Sequence, residues 1–177
     1  MSRAIAIVGG TGCGKTYFTK NLIKKVNKNA LMVFDVNNEY KEFYPYPFDA
    51  DIDKFLNVAY RKKNCVILIE DATAFLSNRG RADVLQKILV GKRHTNNTVI
   101  LLFHSFRALP KYIMDLCNTV VIFKTNDPEK IVSDGFQNPE LTQAWCRVQE
   151  AAKNHPFFAT YPRPKGVVPP SISFDLY

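Results

Sequence analysis

The chain lacks any segment built for export or membrane insertion: MSRAIAIVGG places a basic residue before an apolar run far shorter than a bilayer span, with no signal-peptide cleavage pattern after it. Its four cysteines, Cys13, Cys65, Cys117 and Cys146, are scattered without C-x-x-C or Cys/His spacing, which excludes a zinc-site pattern and suits reduced thiols in a cytoplasm. Internal repeats and low-complexity tracts are absent. Acids are the minority, 16 Asp and Glu against 24 Lys and Arg, for a formal net charge of +8. That excess favours polyanionic partners such as nucleic acid or nucleotides, and a merely basic soluble protein shows it equally.

What is present is an ordinary globular mixture, 46% hydrophobic and 23% charged over 177 residues, enough for one well-buried core and too little for two comfortable domains. Short apolar runs, AIAIV (4–8), LMVFD (31–35), VILIE (66–70), TVILLF (98–103) and TVVIF (119–123), read as strands covered on both faces, because exposed antiparallel strands would alternate. Helical patterns are predicted over 15–28, 51–63, 81–92, 107–117 and 139–153. The expected architecture is α/β, three layers with a mainly parallel sheet. PFFATY (156–161) reads as a short edge strand, and the four prolines of 162–177 exclude a helix or central strand there, leaving a draped or mobile tail.

GGTGCGKT, Gly9 to Thr16, matches G-x-x-x-x-G-K-S/T directly after an apolar strand and before a helical segment. Such glycines let successive N–H groups point at phosphate oxygens, and the following helix adds its positive end. Gly9, Gly10, Thr11, Gly12, Cys13, Gly14, Lys15, Thr16 and Tyr17 are therefore the candidate nucleotide-binding residues. Lys15 is placed for the β- and γ-phosphates and the Thr16 hydroxyl for Mg²⁺. Cys13 is either a small residue in a permissive position or a thiol activated by the helix terminus.

VILIED ends a buried strand in two acids, Glu70 and Asp71. Downstream of a phosphate loop this is the Walker B arrangement, in which one carboxylate serves the metal shell and the next orients water.

Together with FDVNNEY and GKRHTNNTVILLFHSFRALPKYIMDLCNTVVIFKT, these segments make the chain resemble the FtsK/HerA superfamily of P-loop ATPases, and within it the compact genome-packaging ATPases of tailless icosahedral viruses, over roughly residues 3–125. The resemblance implies a RecA-like sheet with the sensor strand between the P-loop and Walker B strands. It also implies an Mg-dependent ATPase ring, usually a hexamer, that moves DNA and meets a capsid vertex or portal protein, in the host-cell cytoplasm or with the virion. ATP and Mg²⁺ are the implied cofactors. By position Glu70 takes the metal role with Thr16 and Asp71 the base role, while Arg93 matches an arginine finger and His104 the polar sensor. Two departures stand out: the family usually has Asp before Glu, and Gln where this chain has His104. A register slip giving Asp71 to the metal would leave only Ala72 and Thr73 beyond it, with no base. Arg79 and Arg81, in an expected flexible loop, are runner-up fingers or DNA contacts, and Asp35 and Glu39 are candidates to support the metal or water. The aromatic run 40–48 is expected to pack rather than stack on bases. Residues 1–161 are expected to form the P-loop ATPase domain and 162–177 a Pro-rich tail. A nucleotide or small-molecule kinase, and an ATPase driving protein or virion assembly, remain as alternatives.

Overall fold

The computed structural model describes residues 2–35, 37–43, 51–76, 78–159 and 166–176. In chain order the elements are β1 (Ala4–Val8), α1 (Lys15–Ile23), a 3-10 turn (Lys28–Ala30), β2 (Leu31–Phe34), α2 (Ile52–Arg61), β3 (Val66–Ile69), α3 (Thr73–Leu76), α4 (Arg79–Thr95), β4 (Thr98–Phe103), α5 (Lys111–Met114), β5 (Thr119–Ile122), α6 (Glu129–Phe136), α7 (Pro139–Lys153), α8 (Pro156–Ala159) and β6 (Ile172–Asp175).

The sheet runs β2-β3-β4-β1-β5-β6. Its first five strands are parallel, and β6 pairs antiparallel to β5. β4, the expected sensor strand, lies between β1 and β3, with Ile5 opposite Ile100 and Leu68 opposite Ile100 from the other side. Alternate strand residues feed two cores. Ala6, Ile67, Leu101 and Val120 pack against Phe55 of α2, Leu85 and Leu89 of α4, and Leu141 and Val148 of α7. Ile7, Leu68, Leu102 and Val121 pack on the opposite face with Ile23 of α1 and Tyr40. Burial on both faces explains the near-continuous apolar strands.

Side chains set the long helices' starts. Asp51 accepts from the Asp53 and Lys54 amides, Asn78 from Arg81 and Asn138 from Leu141, with Pro139 in the first turn of α7.

Several sequence expectations need correction. The helix expected over 107–117 shrinks to Lys111–Met114, because Pro110 caps it and Asp127 draws the Phe106 and Arg107 amides into a preceding turn. Arg79 and Arg81 lie in the first turn of α4, not a flexible loop, since Asn78 caps that helix. Of the edge strand expected over PFFATY, Pro156–Ala159 form a short helix, and residues 160 and 161 lie outside the described residues. Phe157 donates its amide to His155 Nδ1 in a short helix, and ISFD of the tail takes the β5 edge instead. Pro169 and Pro170 fall before that strand, so its amides stay free to pair.

Candidate nucleotide and hydrolysis site

The strands β1, β3 and β4 all end at the same edge of the sheet, bringing the phosphate loop, the paired acids and His104 together. The loop is tied to its neighbours at its start: Gly9 donates to the Phe103 carbonyl at 3.0 Å and Gly10 to the Lys124 carbonyl at 2.8 Å. A Cβ on Gly9 would stand 2.5 Å from the Phe123 Cβ and 2.6 Å from Cys13 Sγ, so that approach requires glycine. Cys13 is buried.

α1 opens on Gly14 in the left-handed region, with no side chain capping its amides. Such unclaimed N–H groups are what an anion needs. Lys15 is buried, and its Nζ donates to the carbonyls of Gly9 at 2.5 Å and Gly10 at 2.9 Å. Burial lowers its pKa against the pull of Cys13 and the carboxylates Glu70, Asp71 and Glu39. The open space above the loop is about 520 Å³ and meets Thr11, Gly12, Gly14, Thr16 and Glu39.

The two acids diverge. Glu70 stays in the strand ladder, its amide donating to the Phe34 carbonyl at 3.0 Å, whereas Asp71 adopts φ 48°, a left-handed conformation that turns the chain. Glu70 faces β2: burial, then the neighbouring carboxyls of Glu39 and Asp35, push its pKa up to about 9. Its Oε2 and Asp35 Oδ1 are buried without a hydrogen-bond partner among the described residues. Thr16 Oγ1 donates to Glu39 Oε2 at 2.9 Å. Asp71 points the other way, its Oδ1 3.6 Å from His104 Nε2.

A divalent cation fits this donor set. Among the described residues no group of three or more His, Cys, Asp or Glu could hold a metal by itself, but the unpartnered oxygens of Glu70 and Asp35, with Glu39 and the Thr16 hydroxyl it accepts, are the hard oxygen donors that Mg²⁺ prefers. Glu39 is the residue whose part sequence reasoning left vague. The D-x-x-x-E-Y spacing is its only sequence signal. Asp35 meanwhile is held by the Tyr40 amide, which donates to Oδ2 at 2.7 Å, and Tyr40 is fully buried as a packed residue. Residues 44–48 of the aromatic run lie outside the described residues.

Arg93 is not brought to the site. It sits exposed in the last turn of α4, which leads into the start of β4 at the opposite edge of the sheet. Arg81 is engaged within its own chain, its Nε and Nη2 forking onto Asp53 at 2.9 and 2.7 Å.

The family model described as "Helicase HerA, central domain" matches residues 1–73. No curated protein matches the chain. Among solved structures, the DNA-packaging ATPase B204 of Sulfolobus turreted icosahedral virus superposes with a TM-score of 0.67 at 20% identity, covering 84% of this chain and 87% of that one. The genome packaging NTPase B204 of Sulfolobus turreted icosahedral virus 2, in complex with AMPPCP, gives 0.63 at 16% identity over 84% and 87%. ATPases 2 and 3 of EccC from Thermomonospora curvata, in complex with a signal sequence peptide, give 0.55 at 11% identity over 73% of this chain and 31% of that one. At these identities the likeness is one of fold. No helix among the described residues is long and apolar enough to cross a membrane.

Proposed function

We propose that this chain, a P-loop ATPase of the FtsK/HerA type, hydrolyses ATP to drive DNA through a ring of its own copies, most specifically as a viral genome-packaging motor that pumps DNA into a preformed capsid. The observation that carries the hydrolytic reading is the split of the paired acids. The left-handed turn at Asp71 leaves Glu70 beside Asp35 and Glu39, whose carboxylate takes the Thr16 hydroxyl, and sends Asp71 to His104.

The loop amides and the α1 terminus would hold the phosphates, and Lys15 would exchange the Gly9 and Gly10 carbonyls for β- and γ-phosphate oxygens. Thr16 and Glu70, with Glu39 beside them, are the residues to hold Mg²⁺. The ion supplies charge neutralisation on the phosphate oxygens when bound with ATP. Asp71 accepts the proton of the attacking water as its oxygen bonds to the γ-phosphorus and the bond to the ADP oxygen breaks. His104 positions Asp71 and reaches toward the same water or the γ-phosphate. Arg93 would serve only a neighbour's site, because its own lies at the other edge of the sheet.

The case for DNA rests on charge and on likeness of fold to proteins described as genome-packaging ATPases. At the strand-start edge, a groove of about 820 Å³ between α2 and α4 carries Arg61, Lys63, Lys87 and His94 against one acid, Asp83, beside the exposed ring of Tyr60. Phosphate contacts of that kind give salt-dependent, sequence-independent affinity. ATPase turnover with and without DNA, alongside native mass, tests the proposal. Stimulation by DNA and a closed oligomer are expected. A strict monomer under all nucleotide conditions, with no DNA binding, would sink it. The fold likeness to EccC keeps a second reading, an ATPase acting on protein. Stimulation by a capsid or envelope protein and not by DNA would favour it.

A further inference from the structure

The space over the phosphate loop is not enclosed by the loop alone. Its far wall comes from the other end of the chain, from Phe157 in α8 and from Gly166 and Val167 of the tail, facing Tyr17 at the start of α1. Two observations show that this wall is held in place rather than resting there. Pro169 is buried against Gly14, where an added Cβ would stand 2.4 Å from the proline Cγ. Just beyond, β6 pairs with β5, Thr119 Oγ1 donates to Asp175 Oδ1 at 2.7 Å, and the Leu176 amide donates to the Asn118 carbonyl at 2.9 Å. Ile172, Phe174 and Leu176 pack against the core.

The chemistry of the wall differs from that of the loop. Phe157 and Val167 are apolar, and Tyr17 exposes 57% of its surface toward solvent beside them. Phosphates seated on the loop amides would leave for the nucleoside the remainder of the same space, which this apolar and aromatic side bounds. Flat heteroaromatic rings bury well between such groups. Resting on the nucleotide-binding reading above, we propose that the tail segment Gly166–Pro169 is the base wall of the nucleotide site, closing on the nucleobase between Val167, Phe157 and Tyr17. The tail's attachment to both Gly14 and β5 is what fixes the wall's distance from the phosphates.

The test separates base from phosphate. Binding of a non-hydrolysable ATP analogue and of inorganic tripolyphosphate is measured by calorimetry for the full chain, for Val167→Trp, which fills the base space, and for Val167→Gly, which removes the wall. Thermal melting shows that each variant is folded, and Val167 lies outside every strand and helix. Val167→Trp should weaken the analogue by about tenfold or more, and Val167→Gly by about threefold, each a share of one buried side chain's free energy. Tripolyphosphate should change by less than about twofold in both, since it carries no nucleobase to bury against Val167. Unchanged analogue binding in both variants, or equal losses for the two ligands, would overturn the base wall. If the unaltered chain binds neither ligand, the nucleotide reading itself fails.

Discussion

Asp71 Oδ1 and His104 Nε2 face each other at 3.6 Å, one from the left-handed turn after β3 and the other from the first residue beyond β4. Adjacent parallel strands thus bring the proposed base and the proposed sensor into one pair, while Glu70, its neighbour in sequence, belongs to a different cluster. Asp71→Asn should therefore keep nucleotide affinity and lose turnover by about 10²–10⁴-fold, the range of a positioned general base. His104→Ala should lose less, and the double variant should fall short of the product of the two losses because the residues act together. Steady-state turnover and equilibrium binding measured side by side check this. Normal hydrolysis by Asp71→Asn, with none by Glu70→Gln, would show the roles to be inverted.

Glu70 has a pH signature. Burial and the Glu39 and Asp35 carboxyls raise it from 4.5 to about 9, so at neutral pH the folded, ligand-free chain retains a proton that the unfolded chain has released. Its contribution to stability is full below the ordinary glutamate range and is lost as pH rises toward 9. Glu70→Gln mimics the protonated form and escapes that loss. Melting curves without ligand should separate with rising pH, the variant being the more stable at pH ~8. The added stability from Mg²⁺ with nucleotide should be smaller in the variant. Coincident curves across the whole range would show that Glu70 carries no raised pKa.

Arg93 lies across the sheet from its own phosphate loop, so any role in hydrolysis must be exerted on another copy. Arg93→Ala should reduce turnover by about 10³-fold or more, as loss of a finger does. Mixing Arg93→Ala with Asp71→Asn subunits should restore part of the activity, because some interfaces then pair an intact base with an intact arginine. Arg81→Ala should stay near the unaltered rate, since that guanidinium is held by Asp53. Loss of that solvent-screened pair should leave the melting temperature nearly unchanged. No recovery in the mixture would remove the trans assignment.

Two glycines make opposite predictions. At Gly14 an alanine meets Pro169 and must also adopt φ +101°, so Gly14→Ala should destabilise by about 1–3 kcal/mol. Gly91 lies inside α4 with nothing within 4 Å of an added Cβ, and Gly91→Ala should stabilise by about 0.5–1 kcal/mol. Urea denaturation of the two variants decides both.

The phosphate loop was legible in the sequence because its physics is local: glycines, a lysine and a threonine need only a strand before them and a helix after them. The buried strands were legible too, since covering both faces leaves no alternation to misread. The resemblance also placed β4 correctly between β1 and β3. Elsewhere local pattern and tertiary contact part company. Nothing in the letters of Glu70-Asp71 says that the second acid turns left-handed; the ends of β2 and β4 on either side decide which carboxylate meets Glu39 and which meets His104. The aromatic composition of PFFATY suits a strand, but the β5 edge is filled by a segment whose amides follow its prolines rather than precede them. The return of Pro169 to Gly14 joins residues with no local relation at all. Sequence alone determined which groups are proposed to hold a phosphate, and only the folded sheet decided which acids, which histidine and which stretch of tail stand around them, because those neighbours are set by strand order and packing between distant segments.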